Sequence, residues 1–264
     1  MKISSLVPTI AVHALLLTQT LLAQDTKQPE PAPTAATNPT DSNLPTVKDI
    51  LHKSEMASGG RDIWKTFHSR SMKGVYQTED TSTFFGIEIL SKEPDKRLSK
   101  ITLPGDVVIR EVCNGQSAWI EDARGGTHEF TGATQKARIH RCQFADQAAT
   151  FLLAVTGHLV GTEKVGAHNT YVIEFSPEKN TISKLYFDTD SGFVVRVDDS
   201  IHADAGDYQV ATYLDDYRPV DGAFFPFRMR HVEKGAIYTV RITQIKNNVP
   251  LEDSVFQKPV TISK

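Results

Sequence analysis

Four glycines, Gly192, Gly206, Gly222 and Gly235, cut the C-terminal third of the chain into nearly equal lengths, and between them apolar and polar side chains alternate. The alternation runs through Phe193, Val195 and Val197, through Phe225, Phe227 and Met229, and through Tyr238, Val240 and Ile242. A period of two belongs to a strand, and turn residues at regular intervals make a β-meander. Each run nearly fills its interval, so these strands exceed the common length of about 5–6 residues. Long antiparallel strands with one apolar face predict a large curved sheet, and such a sheet can enclose an apolar ligand.

The same period begins at Ser69. Strands are predicted over residues 69–77, 83–91, 97–103, 106–112, 116–121 and 127–131, divided by the turn dipeptides Pro94-Asp95, Pro104-Gly105, Asn114-Gly115 and Gly125-Gly126. Further strands are predicted over 158–165, 170–175 and 183–188. Ahead of them, Val47, Ile50 and Leu51 form the apolar stripe of a short helix capped by Thr46 and ended by Gly59-Gly60, with Ile63, Trp64 and Phe67 in a second short helix or turn. Between the two sets of strands, Ile139, Cys142, Ala145, Ala149, Leu152 and Leu153 recur at three- and four-residue steps, predicting an amphipathic helix over 134–156. About a dozen strands would curl, and the helices need an apolar surface to cover. The expected architecture is mainly β, a curved antiparallel sheet forming an incomplete β-barrel, with the inserted helix as a lid. Leu251 and Phe256 are expected to dock on the sheet edge.

The chain has 264 residues and a net charge of −3, without a long basic block, which gives no support to a nucleic-acid partner. Lys2 followed by an apolar stretch from Leu6 to Leu22 and the small Ala23 reads as a secretory signal peptide over 1–23. Pro8, His13 and Gln19 interrupt the stretch, which falls short of a good membrane span. The alternative is an uncleaved anchor. Residues 24–45 carry Pro29, Pro31, Pro33, Pro39 and Pro45 among small polar residues, the composition of a disordered tether. One folded domain is expected over 46–259, with a tail over 260–264. Both cysteines, Cys113 and Cys142, would reach an oxidising compartment under this reading. They could pair as a disulfide, or sit unpaired in the core; both readings stay open.

Motifs for chemistry are absent from the sequence: there is no H-E-x-x-H, C-x-x-C, G-x-G-x-x-G or Walker loop. Ser117 lies in a hairpin context, with Trp119 where a nucleophile elbow needs glycine. Asp188 to Gly192 resembles a calcium loop, but the glycine comes one place early and no closing glutamate follows, so a turn is expected. His202 and His231 stand near Asp204 and Glu233 without a third group set by spacing. No catalytic residue, metal or cofactor is assigned. The aromatic strand residues are more telling. Phe85, Ile87, Ile89, Trp119, Phe193, Val195, Phe225, Phe227, Met229, Val240 and Ile242 are the candidate ligand-facing set, and Ile139, Ala149, Leu152 and Leu153 the candidate lid contacts.

The run from Tyr213 to Gly222, the Phe224-Phe225-Pro226-Phe227 strand, and the segments 242–247 and 253–259 resemble the C-terminal half of bacterial outer-membrane lipoprotein-sorting proteins of the LolA-like superfamily. The hairpin 188–196, the turn Asn114 to Trp119 and the 51–60 helix with its Gly-Gly stop fit the same pattern. The likeness covers roughly 46–259 and points to the longer, uncharacterised members. It implies an incomplete β-barrel with a helical lid and a non-enzymatic periplasmic role in binding lipid or acylated lipoprotein, with a membrane-protein donor or acceptor. The chain departs from the dedicated carrier in its length, its tether and its two cysteines, and no lid arginine is placed by motif. The alternative function is a sensor or scaffold of the same shape that binds a protein partner.

Overall fold

The computed structural model describes residues 44–79, 83–124, 126–140, 142–144, 156–176, 182–201 and 206–259. The expected signal peptide, the linker up to residue 43, the 260–264 tail, and Ala145, Ala149, Leu152 and Leu153 of the expected lid helix lie outside them.

Helix α1 (Val47–Ala57) starts at a capping box: the Asp49 amide donates to Thr46 Oγ1 and the Thr46 amide to the Asp49 carboxylate, each at 3.2 Å. Its end must come very close to a later hairpin. A Cβ on Gly59 would sit 2.4 Å from the Gly222 carbonyl oxygen, and Gly59 has φ of +107°. Only glycine meets both conditions. The Phe224 amide and the Trp64 indole N–H both donate to the Ser58 carbonyl, at 3.0 and 3.1 Å, which fixes the short helix α2 (Arg61–Trp64) beside the same hairpin.

The strands are β1 (Ser69–Thr78), β2 (Phe85–Lys92), β3 (Lys96–Thr102), β4 (Val108–Cys113), β5 (Ala118–Glu121) and β6 (Thr127–Glu129). Helix α3 (Gly132–His140) intervenes. Then follow β7 (His158–Val165), β8 (His168–Phe175), β9 (Ser183–Asp188), β10 (Val194–Ile201), β11 (Tyr208–Val220), β12 (Ala223–Glu233) and β13 (Ala236–Asn247), and a closing 3-10 turn over Asp253–Phe256. The turns Asp221-Gly222 and Lys234-Gly235 are two-residue loops with positive φ at both positions, the hairpin geometry that matches strand twist. Among the described residues the strands make one open antiparallel sheet, in the order β6-β5-β4-β3-β2-β1-β13-β12-β11-β10-β9-β8-β7. Every pairing but one is between sequence neighbours. The exception joins β1 to β13, from Arg70 opposite Asn247 to Thr78 opposite Tyr238.

Register divides the side chains between two faces. On one, rows cross the sheet as Ile109–Ile101–Ile87–Gly74–Ile242 and as Phe85–Tyr76–Val240–Met229–Leu214. A third row runs Tyr238–His231–Thr212–Val197–Leu185–Ile173–Leu159. All three described helices pack on this face. Ile50 and Leu51 of α1 join Ile173, Phe175, Leu185 and Phe187, while Trp64 of α2 and Ile139 of α3 pack on the cluster around Ile87, Phe225 and Val240. The opposite, outer face carries two smaller clusters, Val165 with Val172, Tyr186 and Val195, and Leu98 with Val112, Trp119 and Phe256.

Three expectations are corrected. Leu251 and Phe256 do not dock at the sheet edge. They cover Leu98, Val112 and Trp119 on the outer face, and Lys92 and Lys96 hold the Asp253 carboxylate there at 2.8 Å each. Helix α3 begins earlier than expected, at Gly132, and its described helical residues stop at His140. The Cys142 amide bonds to Ile139 at 3.0 Å and its thiol to the Arg138 carbonyl at 3.1 Å, the carbonyl that a continuing helix would have offered to the amide. Finally, a register shift between Val194 and Arg196 breaks the alternation at the start of β10, so Val194 and Val197 share the helix-bearing face and Val195 turns outward.

Two outcomes follow from this packing. A Cβ on Gly74 would meet the Arg241 carbonyl oxygen at 2.2 Å across the β1–β13 seam, so Gly74→Ala is expected to cost about 2–3 kcal/mol by overpacking, read by urea denaturation. Wild-type stability would contradict the close approach. Phe256→Ala, in a Trp64→Phe background, is expected to cost about 3–4 kcal/mol and to shift Trp119 emission to the red. An unchanged emission maximum would contradict the cover over Trp119.

Candidate functional site

The helix-bearing face at the β1–β13 seam gathers most of the candidate set. Phe85, Ile87, Ile89, Phe225, Phe227, Val240 and Ile242 are buried in one apolar cluster, with Met229 packed against it. The register explains their meeting, because strands far apart in sequence bring Ile87 and Ile242 to either side of Gly74. The remaining three lie elsewhere. Trp119 and Val195 face outward, and Phe193, in the turn before β10, stacks on Tyr217 with ring centroids 4.2 Å apart and planes at 7°. Trp119 misleads because the outer face is itself apolar under the C-terminal segment, so alternation there does not mark which side is inner.

The lid side is built by α3 and the three residues described after it. Ile139, Cys142 and Phe144 pack on the seam cluster, and the Phe144 amide donates to the Pro94 carbonyl at 2.9 Å. Arg138 of α3 holds the Glu111 carboxylate of β4, with Nη1 at 2.5 and 2.6 Å from its two oxygens. The Arg138 guanidinium also lies 4.8 Å from the centre of the Phe130 ring. Burial opposes the charge on Arg138, but the Glu111 carboxylate outweighs it and holds the guanidinium above its ordinary pKa.

Cys113, at the end of β4, and Cys142 are both buried as free thiols in that same cluster. The neighbouring Cys142 side chain lowers the pKa of Cys113, while the Cys113 side chain and burial raise that of Cys142.

A second arginine on this face is placed differently. Arg70 of β1 is 9% exposed, with Trp64, Phe67, Phe144 and Phe225 rings around its guanidinium at 5.4, 5.7, 5.3 and 4.5 Å. Its Nε donates to Asn247 Oδ1 at 2.8 Å, and the Asn247 amide goes on to Asp221 at 3.0 Å. Burial alone pushes the Arg70 pKa down to about 10. Neither this residue nor the Arg138–Glu111 pair was in the candidate set. The signal was present for Arg70: in the alternation Arg70, Met72, Gly74, Tyr76, Thr78 a charge occupies the apolar stripe.

Among the described residues no catalytic grouping is built elsewhere. His231 accepts or donates at 3.0 Å to Thr212 Oγ1 and stacks on Tyr238, and its expected neighbours His202 and Asp204 lie outside the described residues. Asp188 closes the β9–β10 turn by accepting from the amides of Asp190 and Ser191 at 3.1 and 2.6 Å and from the Ser191 hydroxyl at 2.7 Å. Among the described residues no three His, Cys, Asp or Glu side chains are grouped to hold a metal ion.

No family model matches the chain, and no curated relative matches it in sequence. Solved structures do. A LolA superfamily protein from Nitrosomonas europaea superposes with a TM-score of 0.52 at 14% identity, over 81% of this chain and 99% of that one. A DUF1329 family protein from Desulfovibrio piger gives 0.56 at 14% identity, over 81% and 98%. A domain assigned as an outer membrane lipoprotein-sorting protein from Vibrio parahaemolyticus gives 0.54 at 12% identity, over 80% and 95%. The chain thus has the LolA-like fold, an open antiparallel sheet with its helices on one face.

Proposed function

We propose that this protein is a non-enzymatic binding protein of the periplasm, exported through its N-terminal signal, that shelters lipid or the acyl chains of lipoproteins against its helix-bearing face. The observation that carries the reading is the continuity of that face. Apolar rows cross the seam from Ile109 to Ile242 and from Phe85 to Leu214, and the described helices that lie over them are short. Leaving an acyl chain in water costs about 0.8 kcal/mol per CH₂, on the order of 12 kcal/mol for a sixteen-carbon chain, so a soluble carrier must enclose it. A sheet open at both edges can widen without breaking a closed ring of strand hydrogen bonds. On the lid side α3 is held at β4 by the Arg138–Glu111 pair, an attachment that can part and re-form as cargo enters. The LolA-like fold supports the same ligand class.

Two outcomes test this. Met229 is half-buried on the second row, so Met229→Glu puts a charge against the hydrocarbon while sparing the fully buried core. Retention of a sixteen-carbon fatty acid should fall by at least about tenfold, equivalent to 1.4 kcal/mol, with Met56→Glu, at an exposed position, as the unchanged control. Equal retention by both variants, or a stable protein partner captured with no lipid, would favour the scaffold reading instead. In the exported protein Cys113 and Cys142 should be bonded, closing a loop of ~30 residues worth about 3–4 kcal/mol. Denaturation with an alkylating agent and no reductant should leave both unmodified. Two alkylated thiols would contradict the pairing.

A further inference from the structure

Arg70 carries a full charge in a place where the described residues give it no counter-charge. A guanidinium offers five N–H donors, and among the described residues Arg70 spends one, on the neutral Asn247. Two other half-buried arginines show what the fold does when a charge is merely structural. Arg138 is clamped on Glu111, and Arg196 on Asp198 at 2.7 Å between the rings of Tyr186 and Tyr213. Arg70 has four rings close by and, among the described residues, no carboxylate. Ring contacts offset only part of what it costs to take an ion from water without a partner.

Register adds a second cation. The row Cys113–Arg97–Ser91–Arg70–Asn247 puts Arg97 on the same face, two strands from Arg70, or about 10 Å. Arg97 is half-buried and forms no ion pair among the described residues. Both arginines stand at the end of the seam cluster where α2 meets the segment after α3, since Trp64 and Phe67 line Arg70 from one side and Phe144 from the other. An amphiphile whose chain lies along the Ile87 and Val240 rows would bring its polar end to this place.

We propose that Arg70, assisted by Arg97, is the seat of an anionic headgroup, a phosphate or carboxylate oxyanion borne by the amphiphile that the helix-bearing face encloses. This rests on the lipid-binding reading and narrows it to anionic ligands. The guanidinium fork suits a two-oxygen anion, the aromatic walls keep water off the pair, and the free donors on Arg70 become satisfied when the ligand arrives.

The test is a calorimetric titration of the full exported chain with dodecyl phosphate, dodecyl maltoside and inorganic phosphate, repeated on Arg70→Met, Arg70→Lys and Arg97→Gln, with melting temperatures taken alongside. Wild type should bind dodecyl phosphate at least about tenfold more tightly than dodecyl maltoside. Arg70→Met should bind both alike, and its ligand-free melting temperature should equal or exceed that of wild type, because an unpaired buried charge has gone. Arg70→Lys should retain part of the preference, and Arg97→Gln should reduce it. Equal wild-type affinity for phosphate and maltoside would overturn the headgroup site and leave the lipid reading standing, whereas no binding of either chain would overturn the lipid reading itself. Inorganic phosphate binding as tightly as dodecyl phosphate would assign the arginines to a free oxyanion and overturn the headgroup claim. Arg70→Met melting well below wild type with its preference intact would make Arg70 a structural residue and overturn it too.

Discussion

The pairing of β1 with β13 is the contact on which the rest of the structure depends. Arg70 and Asn247, which bond across it, are 177 residues apart, and closing a loop of that length costs on the order of 4–5 kcal/mol of chain entropy. The return is that two meanders, β1–β6 and β7–β13, become one sheet with one continuous apolar face. Without that face, α1 and α2 would have different halves to cover and nothing to bind them together. Gly74 sits in the seam because a side chain there would strike the opposing strand's backbone. The end of α1 approaches the β11–β12 hairpin so closely at Gly59 for a related reason: the helices must lie flat across the joined halves.

Much of this was legible in the residues because strands leave a plain signature. The long meander strands, the Gly-Gly stop after α1, the Thr46 cap and the Asp221-Gly222 and Lys234-Gly235 turns all follow from local chemistry, and the described strands for which bounds were expected match them to within a few residues, whereas the inserted helix does not. Face assignment was less legible. Alternation tells which residues share a side, not which side is covered, and a single bulge beside Val195 reverses the parity that follows it. Trp119 was indistinguishable in pattern from an inward residue, since Phe256 arrives from more than a hundred residues away to cover it. The β1–β13 seam is a long-range pairing with no local mark at all.

The charges on the helix-bearing face divide according to what holds them. Arg138 and Glu111 satisfy each other and pin α3 to β4, so the lid side is attached by a pair that is internally neutral. Arg70 is buried beside the same cluster with rings for neighbours and a neutral amide for a partner. A fold that pairs Arg138 and Arg196 with carboxylates and, among the described residues, leaves Arg70 without one has an unfilled electrostatic demand at the end of an apolar surface. That combination, hydrocarbon-lined rows ending in a dehydrated cation, is the physical complement of an anionic amphiphile, and it locates the expected cargo along a direction on the sheet.

The central claim is that the helix-bearing face holds an amphiphile. The most direct measurement is organic extraction and mass spectrometry of the protein after export and purification without detergent. The account predicts acyl-chain amphiphiles near one per protein, enriched in anionic headgroups over the membrane from which they came. A clean extract from a protein that melts cooperatively would contradict it, and would mean that the seam cluster is a filled core.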